Sequence, residues 1–313
     1  MVFISLGCAL LAGFLLANQN PINSDLSRIV RSPFLAASIS FLVGTVFLGL
    51  LSWGMSGNLW PTREFISNQP MWIWLGGLLG GIYLTSNVVL FPKLGAMQTV
   101  ILPILGQILM GTIIDTFGWF QAAIIPLTML RLVGLVVLIL GVVCAVVLPS
   151  KLKKDELMLD NLEKETGKLF WQIWAIIAGA ISATQQAING HLGTLLHNSE
   201  QAAFISFFTG FILIAIFSLI LERRLPKLSE LKTTKLWNWF GGILGGSFVL
   251  ATVLTVPKIG AGLTITMGLI GSITGSMLVQ QFGWWRSAKS SVSLIQIIGV
   301  IIMAVGVAII KFL

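Results

Sequence analysis

Apolar runs of about 20 residues recur along almost the whole chain, and a helix of that length, rising about 1.5 Å per residue, matches the hydrocarbon core of a bilayer. The runs predict spanning helices over 2–29, 33–53, 72–90, 96–114 and 128–148, then over 169–196, 201–221, 237–256, 261–281 and 291–313. Between the fifth and sixth, Pro149 to Lys168 holds five lysines and five acids with little apolar content, and reads as a solvated linker or surface helix. The expected organisation is a first five-helix unit over 1–148, a charged linker over 149–168 and a second unit over 169–313.

The two units are copies of one pattern. Laying Trp72 to Gly141 over Trp237 to Gly306 without a gap makes 21 of 70 positions identical, and Gly13 to Gly44 over Gly179 to Gly210 adds 12 of 32. The matches include Trp72/Trp237, Pro92/Pro257, Lys93/Lys258 and Phe117-Gly118-Trp119 over Phe282-Gly283-Trp284. Shared apolar composition does not place paired Trp, Pro, Lys and Gly in one order. An odd number of spans per unit makes the second enter the membrane from the opposite side. The expected fold class is therefore an all-α membrane protein of ten transmembrane helices in two inverted five-helix repeats, with a site at the interface between them.

Composition agrees with this solvent: 56% of the residues are hydrophobic, only 10% are charged, and the mean hydropathy is +0.95. The net charge of +8 does not point to nucleic acid, because the basic residues lie mainly between apolar runs and so report topology. Placing both termini outside leaves 15 Lys and Arg in the cytoplasm and 4 outside, which sets the expected orientation. Cys8 and Cys144 sit in apolar sequence without CxxC spacing and read as packing residues. The first run lacks the basic flank of a signal peptide and is expected to remain as the first helix.

Three repeated features carry candidate chemistry. Gln19, Asn20 and Asn23 recur as Gln185, Gln186 and Asn189, each trio on one helix face. Amides are costly against lipid, so these should face inward, either bonding helix to helix or lining a polar pocket that offers donors and acceptors to a substrate. Gly76-Gly77-Leu78-Leu79-Gly80-Gly81 recurs as Gly241-Gly242-Ile243-Leu244-Gly245-Gly246, a face stripped of side chains that admits a close neighbour. Pro92-Lys93-Leu94-Gly95-Ala96 recurs as Pro257-Lys258-Ile259-Gly260-Ala261, expected to stop one helix and restart another, with the lysine reaching the headgroups.

Tyr83, Asn87, Gln98 and Gln107 add polar groups inside the first unit, and Thr252, Thr264, Thr266, Ser272 and Thr274 inside the second. His191 and His197 have no Cys or carboxylate cluster beside them, so no metal site is expected. No acid lies deep in an apolar run; Asp25 and Asp115, at helix ends, come nearest. No P-loop, nucleophile elbow or dinucleotide fingerprint is visible, so neither a cofactor nor an enzyme activity is expected.

The order Gly-Gly-x-x-Gly-Gly, Pro-Lys-[Leu/Ile]-Gly-Ala, Phe-Gly-Trp, with Gln-x-x-x-Asn opening each unit at Gln19/Asn23 and Gln185/Asn189, resembles the YdcZ-like branch of the drug/metabolite transporter superfamily. The likeness covers nearly everything but the linker. It implies a fused form of two five-helix units and export across the inner membrane. The leading expectation is an alternating-access carrier of a small polar or amphipathic metabolite in the bilayer, as a monomer or homodimer, with the ten amide and phenol side chains above from Gln19 to Asn189 as the substrate-binding set. The alternative is a passive pore or lipid-handling protein on the same scaffold. Asn20-Pro21 stands where the second unit has Gln186-Ala187, and Pro21 is expected to bend the first helix.

Overall fold

The computed structural model describes residues 2–122, 124–148 and 162–312, so most of the expected linker lies outside the described residues. Among the described residues every regular element is helical. The long helices are α1 (Val2–Val30), α2 (Pro33–Ser56), α3 (Gly76–Phe117), α4 (Met129–Val142), α5 (Leu162–Leu196), α6 (Ser199–Glu222), α7 (Phe240–Ile259), α8 (Ala261–Phe282) and α9 (Leu294–Phe312). Six segments of described residues are long and apolar enough to cross a membrane: Val2–Val30, Pro33–Ser56, Met71–Ala96, Gln98–Phe117, Ser199–Glu222 and Leu236–Ile259. Met129–Ala145 and Leu294–Ile310 are apolar but shorter.

Local chemistry accounts for the boundaries. The Ser32 side chain accepts from the Leu35 N–H at 3.1 Å and Pro33 opens α2, so both halves of an N-terminal start are present. Asn198 does the same for α6 through Gln201 N–H at 2.9 Å. Gly95, with φ 76° and ψ 174°, breaks α3 into two arms, and its repeat position Gly260, with φ 80°, separates α7 from α8. Only glycine takes that region without strain, which is why both breaks use it. Pro21 sits inside α1, which runs uninterrupted to Val30. α5 begins at Leu162, before the expected start at 169, so the end of the charged segment continues the helix.

The heaviest packing runs between the halves. α1 lies against α7 and α8, α5 against both arms of α3, α2 against α6, and α4 against α9. Phe34 meets Phe217 at 6.1 Å, Phe41 stacks on Phe207 at 4.7 Å and Trp60 meets Phe204 at 5.3 Å, so α2 and α6 run antiparallel. Each is joined to the preceding helix by a tight turn through a left-handed residue, Arg31 (φ 54°) or His197 (φ 50°). The C-terminal ends of α1 and α5 therefore point to opposite ends of the bundle. Ile101, Leu138, Ile273 and Met303 anchor one apolar core, and Leu48, Ile73, Leu192 and Ile205 another.

Candidate functional site

α1, α3, α5, α7 and α8 enclose a cavity drawn from both halves. Its polar lining is Asn20, Tyr83 and Gln107 from the first half and Gln186, Thr252, Thr264 and Ser272 from the second. Asn20 and Gln186 occupy the same repeat position, as do Gln107 and Ser272, while Tyr83 is matched by Phe248, which also lines the space. Ala9, Ala12 and Gly13 leave room on the α1 side. About 20 Å³ is open to the centre of a water molecule, the scale of one ordered water.

A hydrogen-bonded chain runs along one wall. Gln107 Nε2 donates to Ser182 Oγ at 3.2 Å and stands 3.5 Å from Tyr83 Oη, and Gln186 Nε2 donates to the same Ser182 Oγ at 3.3 Å. Asn20 is buried, and its Oδ1 finds no partner among the described residues. An unmade bond at a buried carbonyl oxygen is expensive, so this atom retains unused acceptor capacity beside the cavity.

The other members of the amide trios sit elsewhere. A Cβ added at Gly241 or Gly245 would run into the side chains of Asn23 and Gln19, and one at Gly76 or Gly80 into those of Asn189 and Gln185. Each trio's outer two amides thus lie on the glycine face of the opposite half, the close approach that a Gly-xxx-Gly face permits. Asn189 Nδ2 donates to Ser206 Oγ at 3.0 Å there. Gln98 is taken up by Gln172, whose Nε2 donates to its Oε1 at 3.1 Å, and Asn87 is fully buried without reaching the cavity wall. The Thr266 side chain lies outside the described ones. Lys93 lies over the Trp171 ring at 4.3 Å.

Beyond the cavity, each end carries a repeat-related aromatic pair. Trp72 meets Phe120 at 5.6 Å, and Trp237 meets Trp285 at 5.5 Å. The turns that hold them share a strained backbone: Phe120 and Trp285 both have φ 57°, and Gln121 and Arg286 have φ 63° and 61°. Left-handed non-glycine residues at matched positions cost free energy that surrounding contacts must offset. Around these pairs the two ends differ. Trp72 stacks on His191 at 5.6 Å. At the other end Asp25, at the position equivalent to His191, accepts from Asn238 Nδ2 at 3.0 Å and faces Arg286 at 3.8 Å, and Trp285 Nε1 donates to Asn18 Oδ1 at 2.8 Å.

Sequence reasoning counted Asp25 and Asp115 as helix-end acids and missed their partners. Both are buried, Asp25 beside Arg286 and Asp115 3.9 Å from Arg131. It also missed Phe248, which the repeat position of Tyr83 would have indicated. A roomier groove of about 420 Å³ on the outer face, between Leu78, Val89, Trp174 and Phe217, is almost wholly apolar and lacks converging polar groups.

The chain matches a family described as "Putative inner membrane exporter, YdcZ" over residues 4–144 and again over 170–309. It is similar to the inner membrane protein YdcZ of Escherichia coli (strain K12), at 25% identity over 117 residues, 36% of this chain and 76% of that protein. A solved crystal structure shares the fold with a TM-score of 0.63 at 15% identity, covering 97% of each chain.

Proposed function

Because the chain belongs to the YdcZ-like branch of the drug/metabolite transporters and is an integral inner-membrane protein, we propose that it is an alternating-access carrier, an exporter of a small polar or amphipathic metabolite. In this reading the two family matches are inverted five-helix repeats, 1–148 and 169–313, joined by the charged linker and spanning the membrane ten times. The antiparallel course of α2 and α6 supports the inversion. The observation that carries the proposal is a small cavity walled by both halves and carrying amide and hydroxyl groups from each, with a repeat-related aromatic pair toward each end of the bundle.

Such a site is what rocking of one half against the other exposes to either side in turn. Asn20, Tyr83, Gln107 and Gln186 are the recognition groups, joined by Thr252, Thr264 and Ser272. Gln19, Asn23, Gln185 and Asn189 bind the halves to each other's glycine faces. Both termini lie outside, which puts Arg28, Arg31, Lys93, the 223–235 loop, Arg286 and Lys289 in the cytoplasm.

Counterflow in proteoliposomes tests the proposal, using a solute found by its thermal stabilisation of the purified protein. A carrier accumulates the label transiently against its gradient, and Asn20→Ala with Gln186→Ala abolishes the effect. Simple equilibration that is indifferent to those substitutions would instead identify a pore.

A further inference from the structure

Among the described residues, no charged side chain lines the cavity. Asp25 lies five residues beyond Asn20 on α1, about 7.5 Å along the axis, and is engaged by Asn238 and Arg286. Asp115 is held near Arg131 at a helix end, and Lys93 over Trp171. An ion entering the cavity would trade its hydration shell for neutral dipoles with no counter-ion, a steep loss in a low-dielectric interior. A neutral solute gives up only hydrogen bonds, which amides and hydroxyls can return.

The wall also dictates where those bonds form. Ser182 Oγ already receives both Gln107 Nε2 and Gln186 Nε2, so these donors are partly spent on each other's neighbour. The Asn20 Oδ1 acceptor is not. Phe248, Ile104 and Ile265 add apolar surface to the same wall. We propose that the cavity selects uncharged solutes that donate an N–H or O–H hydrogen bond to Asn20 Oδ1 and lay an apolar body against Phe248, Ile104 and Ile265. The inference rests on the carrier reading and narrows its substrate class: carboxylates and ammonium compounds are excluded.

The test replaces Asn20 by cysteine in protein carrying Cys8→Ala and Cys144→Ala, with Ser272→Cys as a second cavity position and exposed Ser56→Cys as the reference. Three methanethiosulfonates of similar size are applied to one membrane face at a time, in spheroplasts and in inverted vesicles: hydroxyethyl (neutral), sulfonatoethyl (anionic) and trimethylammonioethyl (cationic). Relative to Ser56→Cys, both cavity positions should react with the neutral reagent from either face. Both charged reagents should be slower by about tenfold or more, equivalent to about 1.4 kcal/mol of barrier. Equal rates for all three reagents would overturn charge exclusion while leaving the carrier reading intact. Reaction from one face only, with the charge preference kept, would overturn alternating access and leave this inference standing. No reaction with any reagent would overturn both.

Discussion

Asn20 and Asn23 are three residues apart on one helix and have different surroundings. The first lines the cavity; the second fills the space above Gly241. Replacing Asn20 by Ala should leave the melting temperature nearly unchanged and remove ligand-induced stabilisation. Asn189→Ala breaks the bond to Ser206 and should destabilise by about 0.6 kcal/mol, typical of such bonds in membrane bundles, with ligand affinity preserved in the folded fraction. Gly80→Val places a side chain on Gln185 and should cost about 1–3 kcal/mol by overpacking, measured by thermal unfolding in detergent. That the trios turn inward was legible from the cost of amides in lipid. Which member meets a glycine face and which meets the cavity was not, because helical period gives a residue's face but not the helix that crosses it.

At the scale of elements, the breaks and the end closures matter most. Gly95 and Gly260 hold backbone conformations that a Cβ makes costly, so Gly95→Ala should destabilise by about 1–3 kcal/mol although open space surrounds the position. This break was readable from Pro-Lys-Leu-Gly-Ala. The difference between the two ends was not, since Arg286 and Asn238 lie far along the chain from Asp25 and only packing brings them together. One end carries that cluster and the Trp285 bond to Asn18, the other the stacking of Trp72 on His191 and its contact with Phe120. Asp25→Asn removes the charge that faces Arg286, and should increase the rate at which a cysteine at Asn20 is modified from the Arg286 side. An unchanged rate would show that the cluster does not hold that end shut.

For the whole molecule, the repeat was visible in the sequence as matched Trp, Pro, Lys and Gly. Its consequence, that each half's first helix packs mainly on the other half, needed coordinates. Halves interlocked in this way fit the proposed rocking, in which one end opens as the other closes, better than separation as two domains. Reporter fusions at both termini should report the outside if the Lys and Arg distribution sets the orientation; signals from the cytoplasm would reverse the orientation and leave the mechanism untouched. The rocking itself is read most directly by spin-label distances across each end in lipid. The exposed pair Ile124 and His197 spans the end with Trp72, and the repeat-related pair Lys289 and Arg31 spans the end with Asp25. An alternating-access carrier predicts two distance populations at each pair, and Asp25→Asn should lengthen Lys289–Arg31 while shortening Ile124–His197. Single, unchanged distances at both ends, or both ends lengthening together, would contradict it.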